Sequence, residues 1–444
     1  MHVQLINHAC VKILTKDCGI LTDPWISGSV FNNGWNLIEK NQSNTTEVLN
    51  EVNYIWLSHE HPDHFDVNFF KINASLINSK KIKVLFQKTL DKRVKNFLSS
   101  LNIYVHEIEN NKCIQLTNQT TIVISKAGYY DSMLFVDDKE SKILNTNDCD
   151  VPDFKFDNKT LKLFQDCDLL LTQFSYAAWK GDKSDTFARI QAAKQKLLSI
   201  KEQKKIFSPK RIMPFASFIY FCHEDNYYMN QEINTINTVH DYIKNINSHP
   251  VILKLNEIWK SDSYKLQQES INFWNKSYLN IHNNIKTSYT KSFSEKELQT
   301  IFLKYREKIF LKNSKFFIFI LSKVRFLNFF NKLRFYIKDL EQFYEYDIFS
   351  GFTKISYTDN SDVIKIHSSS LYFLLKFDYG FDTLTVNGLF QTNFRNFFKL
   401  SGNFFISSYN SIGKKLSFTS IFEFSLLKKY FLLLLKIKQK YKIS

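Results

Sequence analysis

Three histidines, a glutamate and an aspartate fall within six residues at His59-Glu60-His61-Pro62-Asp63-His64. They follow the run Tyr54-Ile55-Trp56-Leu57-Ser58, whose apolar and aromatic content predicts a short buried strand. His59 and His61 flank Glu60, so an extended segment aims both rings to one side. Pro62 then turns the chain and lets Asp63 and His64 face a second ion. Neutral imidazole and carboxylate suit zinc, iron or manganese. Protonated imidazoles this close repel one another unless a metal or a carboxylate intervenes, which argues against a merely solvated loop.

The surrounding chain supplies elements that could hold such a site. Val3–Ile6 and Val11–Leu14 predict paired strands, and Gly19–Thr22 predicts another that enters Asp23-Pro24. Val84–Phe86, Ile103–Val105, Thr121–Ser125 and Met133–Val136 continue the pattern. Ile143-Leu144 runs into Asn145-Thr146-Asn147-Asp148, and Leu169–Leu171 into Thr172-Gln173. Between strands, Ile190, Ala193, Leu197 and Ile200 sit at helical spacing in a segment from Ser184 to about Lys205. Acidic residues and histidines at strand ends predict a layered α/β enzyme with its site on loops at one edge.

Beyond Asn226 the character changes. Residues 226–246 are polar and predict a helix, and Ser248–Pro250 predicts a break, dividing the chain into domains at 1–250 and 251–444. Ser294-x-x-Glu297 reads as a capping box, followed by a stripe of Leu298, Ile301, Phe302, Tyr305 and Ile309 that predicts helix core. From Gly351 the pattern turns strand-like, and Ser370–Phe377, the Asp378-Tyr379-Gly380 turn and Thr383–Phe390 predict a hairpin.

Composition narrows the class. At 444 residues the chain is long enough for two cores. Its six cysteines form no C-x-x-C pair, which argues against a zinc ribbon, a thioredoxin-type site or a dense disulfide framework and fits a reducing cytoplasm. Met1–Ile6 reads at once as a strand and lacks the layout of a signal peptide. The apolar runs Phe316–Leu321 and Phe431–Leu435 are too short to span a bilayer. The formal charge of +16 is concentrated late: residues 301–444 hold 23 Lys and Arg against 10 Asp and Glu. Such a basic, Phe-rich tail suits nucleic acid, an anionic membrane surface or a phosphate-bearing substrate. A general bias toward Lys, Asn, Ile and Phe explains it equally well.

The H-x-H-x-D-H motif after a strand, with Asp-Pro upstream in Ile20-Leu21-Thr22-Asp23-Pro24-Trp25, resembles the metallo-β-lactamase superfamily. Ile6-Asn7-His8-Ala9-Cys10-Val11 is similar to the opening of its ascorbate-6-phosphate lactonase branch. The stretch Asp23 to Trp35, and Pro214-Phe215-Ala216-Ser217-Phe218 near His223, resemble the CMP-N-acetylneuraminate hydroxylases. The resemblance covers about residues 1–230. It implies an αββα sandwich over about 1–250, followed here by a basic α+β domain. It further implies that His59 and His61 bind one metal, Asp63 and His64 a second, and that Asp148 bridges the two. His223 matches the late histidine on the second metal, and Asp23 and His8 match residues that hold ligands in place.

One position departs from the pattern. The family usually places a histidine shortly before the bridging aspartate, yet the only histidine between His64 and Asp148 is His106, in a strand-like context. Gly128-Tyr129-Tyr130-Asp131 offers Asp131 there instead. A carboxylate would harden the site toward iron or manganese; without one, the first site is incomplete.

Two divalent ions are thus the implied cofactors, zinc by superfamily habit, with iron or manganese as alternatives. The leading expectation is a cytoplasmic hydrolase in which a metal-bound hydroxide, beside Asp63 and Asp148, attacks a phosphorylated or nucleotide-linked sugar. Trp25, Trp35, Trp179, Lys180 and Arg211 are the candidate substrate contacts. The alternative is a diiron oxygenase. The hydroxylases carry a Rieske cluster, but neither Cys-x-His nor Cys-x-x-His occurs here, so electrons would come from a separate protein. A nuclease rests on charge alone, making nucleic acid an unfavoured partner. The non-enzymatic reading is a binding protein at a membrane surface.

Overall fold

In a computed structural model of the protein, the described residues are 1–128, 130–151, 154, 156–260, 267–324, 328–356, 362–411 and 413–417. Tyr129 and the run Phe431–Leu435 lie outside them. Contacts divide the chain into two units. The first comprises Met1–Ala177, Ile190–Tyr220 and Asn230–Ile285; the second comprises Ala178–Arg189, Phe221–Met229 and the chain from Lys286. Residues 251–285 therefore pack with the first unit, whereas a division at 250 would assign them to the second.

The first unit opens with β1 (His2–Asn7), β2 (Cys10–Leu14), β3 (Gly19–Thr22), β4 (Trp35–Leu37), α1 (Thr45–Val48) and β5 (Tyr54–Leu57). Next come α2 (Val67–Ser79), β6 (Lys83–Gln87), α3 (Arg93–Ser100) and β7 (Val105–Ile108). β8 (Cys113–Gln115), β9 (Thr121–Ala127), β10 (Asp131–Asp137), β11 (Lys142–Asn147), α4 (Asn158–Phe164) and β12 (Leu169–Gln173) follow. The rest are α5 (Thr186–Phe207), whose first residues belong to the second unit, β13 (Ile212–Phe215), β14 (Ile219–Phe221), α6 (Ile236–Asn245), β15 (Ile258–Lys260) and α7 (Gln268–Asn280).

Two sheets result. One has the order β15-β1-β2-β3-β5-β6-β7, the other β13-β12-β11-β10-β9-β8. In the first, β3, β5, β6 and β7 run parallel. In the second, β11, β12 and β13 do. Helices α2 and α3 cover the first sheet, burying Phe69, Phe70, Ile77, Val94 and Leu98 against Ile55, Val84 and Phe86. Helices α4 and α5 cover the second, where Phe164 of α4 packs on Phe135 of β10 at 5.5 Å and on Phe207 of α5 at 6.3 Å. These are layers in the order helix, sheet, sheet, helix, the αββα arrangement expected from the resemblance. Parallel strands need crossover helices, so their carboxyl ends collect at one edge, where loops are free to carry a site.

The predicted helix from Ser184 is present as α5, shifted by two residues. The helix predicted over 226–246 is split instead. A 3₁₀ turn at Tyr227–Glu232 precedes α6, because Asn234 is held elsewhere. Its N–H donates to Ser175 Oγ at 2.9 Å and its side-chain amide to the Phe174 and Ala193 carbonyls.

The second unit is α+β. It contains α8 (Glu295–Lys312), α9 (Lys315–Lys323), β16 (Leu333–Ile337), β17 (Gln342–Asp347), β18 (Gly351–Ile355) and β19 (Ile364–Ile366). α10 (Ser368–Lys376), α11 (Gly380–Asn387), β20 (Phe390–Gln391) and α12 (Phe394–Ser411) complete it. The sheet order is β18-β17-β16-β19-β20. The Ser294–Glu297 capping box opens α8 and the stripe Leu298 to Ile309 is buried, as predicted.

The predicted hairpin over 370–390 is a helix pair, α10 and α11. Residues 371–375 are all apolar, so they fit a strand or a buried helix equally well. Caps and packing decide between them. His367 Nδ1 accepts from the Ser369 N–H to start α10, and Gly388, at φ +66°, ends α11 in the left-handed region that glycine adopts without strain.

Candidate metal centre

Strand ends from both sheets converge on one cluster. His59, His61, Asp63 and His64 follow β5, and Asp23 follows β3. His8 occupies the β1–β2 turn, Asp148 follows β11, and Asp131 opens β10. The turn at His8 is tight, with φ +33°, and is pinned where the Ala216 N–H donates to the His8 carbonyl at 2.9 Å.

Asp23 organises the cluster. It is fully buried, at φ +38°, and its carboxylate accepts four hydrogen bonds. Oδ1 receives the Ser58 N–H at 2.8 Å. Oδ2 receives Ser58 Oγ at 2.8 Å, Asn147 Nδ2 at 2.7 Å and His64 Nδ1 at 3.0 Å. With its Nδ1 proton committed to Asp23, His64 turns the Nε2 lone pair inward. The same relay acts on His59. Ser58 Oγ gives its proton to Asp23 and stands 2.9 Å from His59 Nδ1, so it accepts the proton there and leaves His59 Nε2 as a lone pair.

Those lone pairs meet the acidic donors. His64 Nε2 lies 3.1 Å from Asp63 Oδ2 and 3.3 Å from Asp148 Oδ2. His8 Nε2 lies 3.4 Å from Asp63 Oδ2. His59 Nε2 is 2.9 Å from His61 Nδ1 and 3.8 Å from Asp131 Oδ1. Two imidazole nitrogens each about 2.1 Å from one ion would stand about 3.4 Å apart at a tetrahedral angle and about 3.0 Å apart at a right angle. Two sets of three donors form, His8–Asp63–His64 and His59–His64–Asp148, sharing His64.

Electrostatics favours a cation. Asp63 Oδ1 and Asp148 Oδ1 are buried without a hydrogen-bond partner. Leaving such atoms bare costs about 1–3 kcal/mol each, more when charged, unless something binds there. Burial opposes charge on His64, but Asp63, Asp148 and Asp23 outweigh it and raise its pKa well above the usual imidazole range. The field that holds a proton on His64 is the field that attracts a divalent ion. Burial and the neighbouring His64 charge push His59 down to about 4, so it remains a neutral ligand. Burial lifts Asp131 to about 6, against the opposing charge of His61. The donor set of imidazoles and carboxylates fits zinc, iron or manganese, and His64 Nε2, with one lone pair, serves only one of the two sets at a time.

Of the two residues left open by sequence, Asp131 stands 3.8 Å from His59 Nε2 and, like His61, is in neither donor set, whereas His106 lies inside β7 opposite Leu85. His8, expected only to hold a ligand in place, presents Nε2 as part of a donor set. Ser58, Asn147 and Gln87 were not anticipated. Gln87 bridges from the end of β6 to the Ser58 and Tyr130 carbonyls and ties β5 to the start of β10. Their signal in the sequence is slight: a polar residue within a residue or two of a strand's carboxyl end.

The proposed ligand His223 is in the second unit. Its Nδ1 accepts from the Asp225 N–H at 3.1 Å, and its ring meets Tyr289 edge-on at 4.3 Å. Burial lowers its pKa, so it is neutral and carries its proton on Nε2. That nitrogen is buried without a hydrogen-bond partner, and His223 is in neither donor set.

The expected substrate contacts fare differently. Trp25 is fully buried, with Nε1 donating to the Ser27 carbonyl at 3.0 Å and its edge on His8 at 5.4 Å. Trp35 is buried beside Phe31 at 4.6 Å. Trp179 is enclosed by Phe390, Phe394 and Phe397. All three indoles are packing residues, because their rings are spent on neighbours within the fold. Lys180 is half-buried in the second unit. Arg211 precedes β13, which runs parallel to β11 and β12, so it lies at the edge opposite Asp148, roughly 13 Å away along four strand residues. Lys210 confirms that edge by pairing with Asp168 at 2.7 Å, just before β12.

No family model matches the chain. It is 24% identical over 266 residues to the cytidine monophosphate-N-acetylneuraminic acid hydroxylase of Asterias rubens, covering 54% of this chain and 37% of that one. The hydroxylase of Cricetulus griseus is 25% identical over 259 residues, covering 52% and 42%. The chain thus spans about two fifths of the length of these curated relatives. Among solved structures, CmlA, a diiron β-hydroxylase from Streptomyces venezuelae, gives a TM-score of 0.42 at 13% identity over 58% of this chain and 54% of that one. An isothiocyanate hydrolase from Delia radicum gut bacteria gives 0.42 at 12% identity over 59% and 98%.

Proposed function

We propose that this metallo-β-lactamase-fold chain is a metal-dependent enzyme that hydrolyses a phosphorylated or nucleotide-linked sugar derivative. The observation that carries the reading is the buried cluster of His8, His59, His64, Asp63 and Asp148, in which two three-donor sets overlap at His64. When bound there, two divalent ions supply Lewis acidity and a water of depressed pKa. The chain's own residues do the rest. Asp23 and Ser58 fix the tautomers of His64 and His59, so the lone pairs are aimed before any ligand arrives. Asp63 and Asp148 supply the negative charge, and Asp148, with 24% side-chain exposure against 4% for Asp63, faces the more open side. The sugar-nucleotide class is supported by the resemblance to hydroxylases of a CMP-linked sugar and by the net positive charge.

A second reading is a diiron oxygenase acting on the same class with a separate electron donor. The carboxylates Asp63, Asp131 and Asp148 favour it, since oxygen donors suit iron better than thiolate-loving metals. Both readings are tested by purifying the protein without oxygen, measuring bound metals, and offering CMP- and UDP-linked sugars and sugar phosphates. Hydrolysis under nitrogen with zinc or manganese supports the first. A product gaining one oxygen atom, formed only in air with iron and a reductant, replaces it with the second. A purified protein that binds no metal overturns both.

A further inference from the structure

Helix α9 is nine residues, Lys315-Phe-Phe-Ile-Phe-Ile-Leu-Ser-Lys323, and is apolar around its whole middle. Phe317, Ile318 and Leu321 are buried, which accounts for one face. The other face is largely open: Phe316 is 64% exposed, Ile320 37% and Phe319, with its edge on Phe349 at 5.7 Å, 46%, and Leu311, in the last turn of α8, is 81% exposed. Residues 316, 319 and 320 follow the three-and-four spacing of one helical face, so their exposed surfaces adjoin. A soluble surface helix usually turns charged residues outward there.

Charge indicates what covers the patch. Lys315 and Lys323 bracket the helix, each with its ammonium over a ring of the patch region, Lys315 over Phe310 at 5.3 Å and Lys323 over Phe319 at 4.8 Å. Residues 311–324 contain three lysines and no acidic residue, within the C-terminal third that carries most of the excess positive charge. At 1.5 Å per residue the helix is about 14 Å long, far short of a bilayer, and no helix among the described residues is long and apolar enough to cross a membrane. Apolar side chains projecting from one face of a short helix, with lysines at both ends, match a segment lying in the headgroup layer.

We infer that α9 and Leu311 form a docking face for an anionic lipid surface, with Phe316, Phe319 and Ile320 entering the acyl boundary and Lys315 and Lys323 at the phosphates. The test is sedimentation of the full chain with phosphatidylcholine vesicles and with vesicles containing phosphatidylserine. Wild type should bind the anionic vesicles and lose binding as salt shortens the Debye length. Phe316→Glu/Phe319→Glu should lower the partition coefficient at least about tenfold, since it removes two apolar anchors and adds two repelled charges. Lys315→Glu/Lys323→Glu should weaken binding to anionic vesicles while leaving thermal unfolding unchanged. The replaced side chains are exposed, so both variants should fold. Failure of wild type to bind, or a Phe316→Glu/Phe319→Glu variant that binds as wild type does, overturns the inference. So does self-association of wild type, seen in ultracentrifugation without vesicles, that the Phe316→Glu/Phe319→Glu variant abolishes, because the patch would then meet a second copy.

Discussion

Asp23→Asn should weaken metal binding and destabilise the metal-free protein together. Asp23 is fully buried and accepts from four donors. An asparagine can place its oxygen where Oδ2 was and keep three of them. Its NH2 then faces the Ser58 N–H, leaving two buried donors unpaired at about 1–3 kcal/mol each. The reverse rotamer is worse, setting the NH2 against Ser58 Oγ–H, Asn147 Nδ2 and His64 Nδ1. The expected loss of unfolding free energy is therefore roughly 2–6 kcal/mol. His64 also loses the charge that holds its tautomer, and such supporting residues are worth about 10–100-fold in metal affinity, or about 1.4–2.7 kcal/mol. Because His64 Nε2 has a single lone pair, the one ion it ligates should bind more weakly. Denaturant unfolding of the metal-free protein measures the first effect, and chelator competition for zinc on the folded variant measures the second. A variant that unfolds and holds zinc like wild type would refute the role assigned to Asp23.

Other outcomes follow from the same geometry. His8→Ala should keep one tightly bound ion and lose the second; two ions held with unaltered affinity would reduce His8 to packing against Trp25. His223→Asn keeps an acceptor for the Asp225 N–H and should leave metal stoichiometry unchanged, whereas loss of an ion would show that His223 is a ligand after all. Asp339 accepts from the Ser368 N–H at 2.8 Å and from its Oγ at 2.5 Å. Burial raises its pKa, but those hydrogen bonds and His367 hold it below the ordinary aspartate value. Its stabilisation is therefore present above the unfolded pKa of about 3.9 and lost as pH falls through the lower folded value. Asp339→Asn should cost about 1–2 kcal/mol at neutral pH and flatten the acid limb of a stability profile below about pH 4; an unchanged acid limb would contradict this.

Much of the first unit is legible because its strands are short apolar runs ending in chemistry-bearing residues, so pattern and motif point the same way. His59 to His64 identify the metal motif by spacing alone. The second unit is less legible: in 371–377 nearly every residue is apolar, and only capping by His367 and Gly388 and packing against α8 make it helical.

The sequence by itself determined the donor types, their strand-end placement and a layered α/β class, since these depend on local pattern, while the αββα order came from the family resemblance. Only the tertiary structure decided which of them meet. It brought Asp131 rather than His106 to His59 and moved His8 into a donor set, while Trp25, Trp35 and Trp179 went to the core and Arg211 to the far edge. It also set the tautomers through Asp23, Ser58 and Asn147. Those outcomes depend on sheet order and on hydrogen bonds between residues far apart in the chain, such as Asn147 and Asp23, 124 positions apart, which no local pattern records.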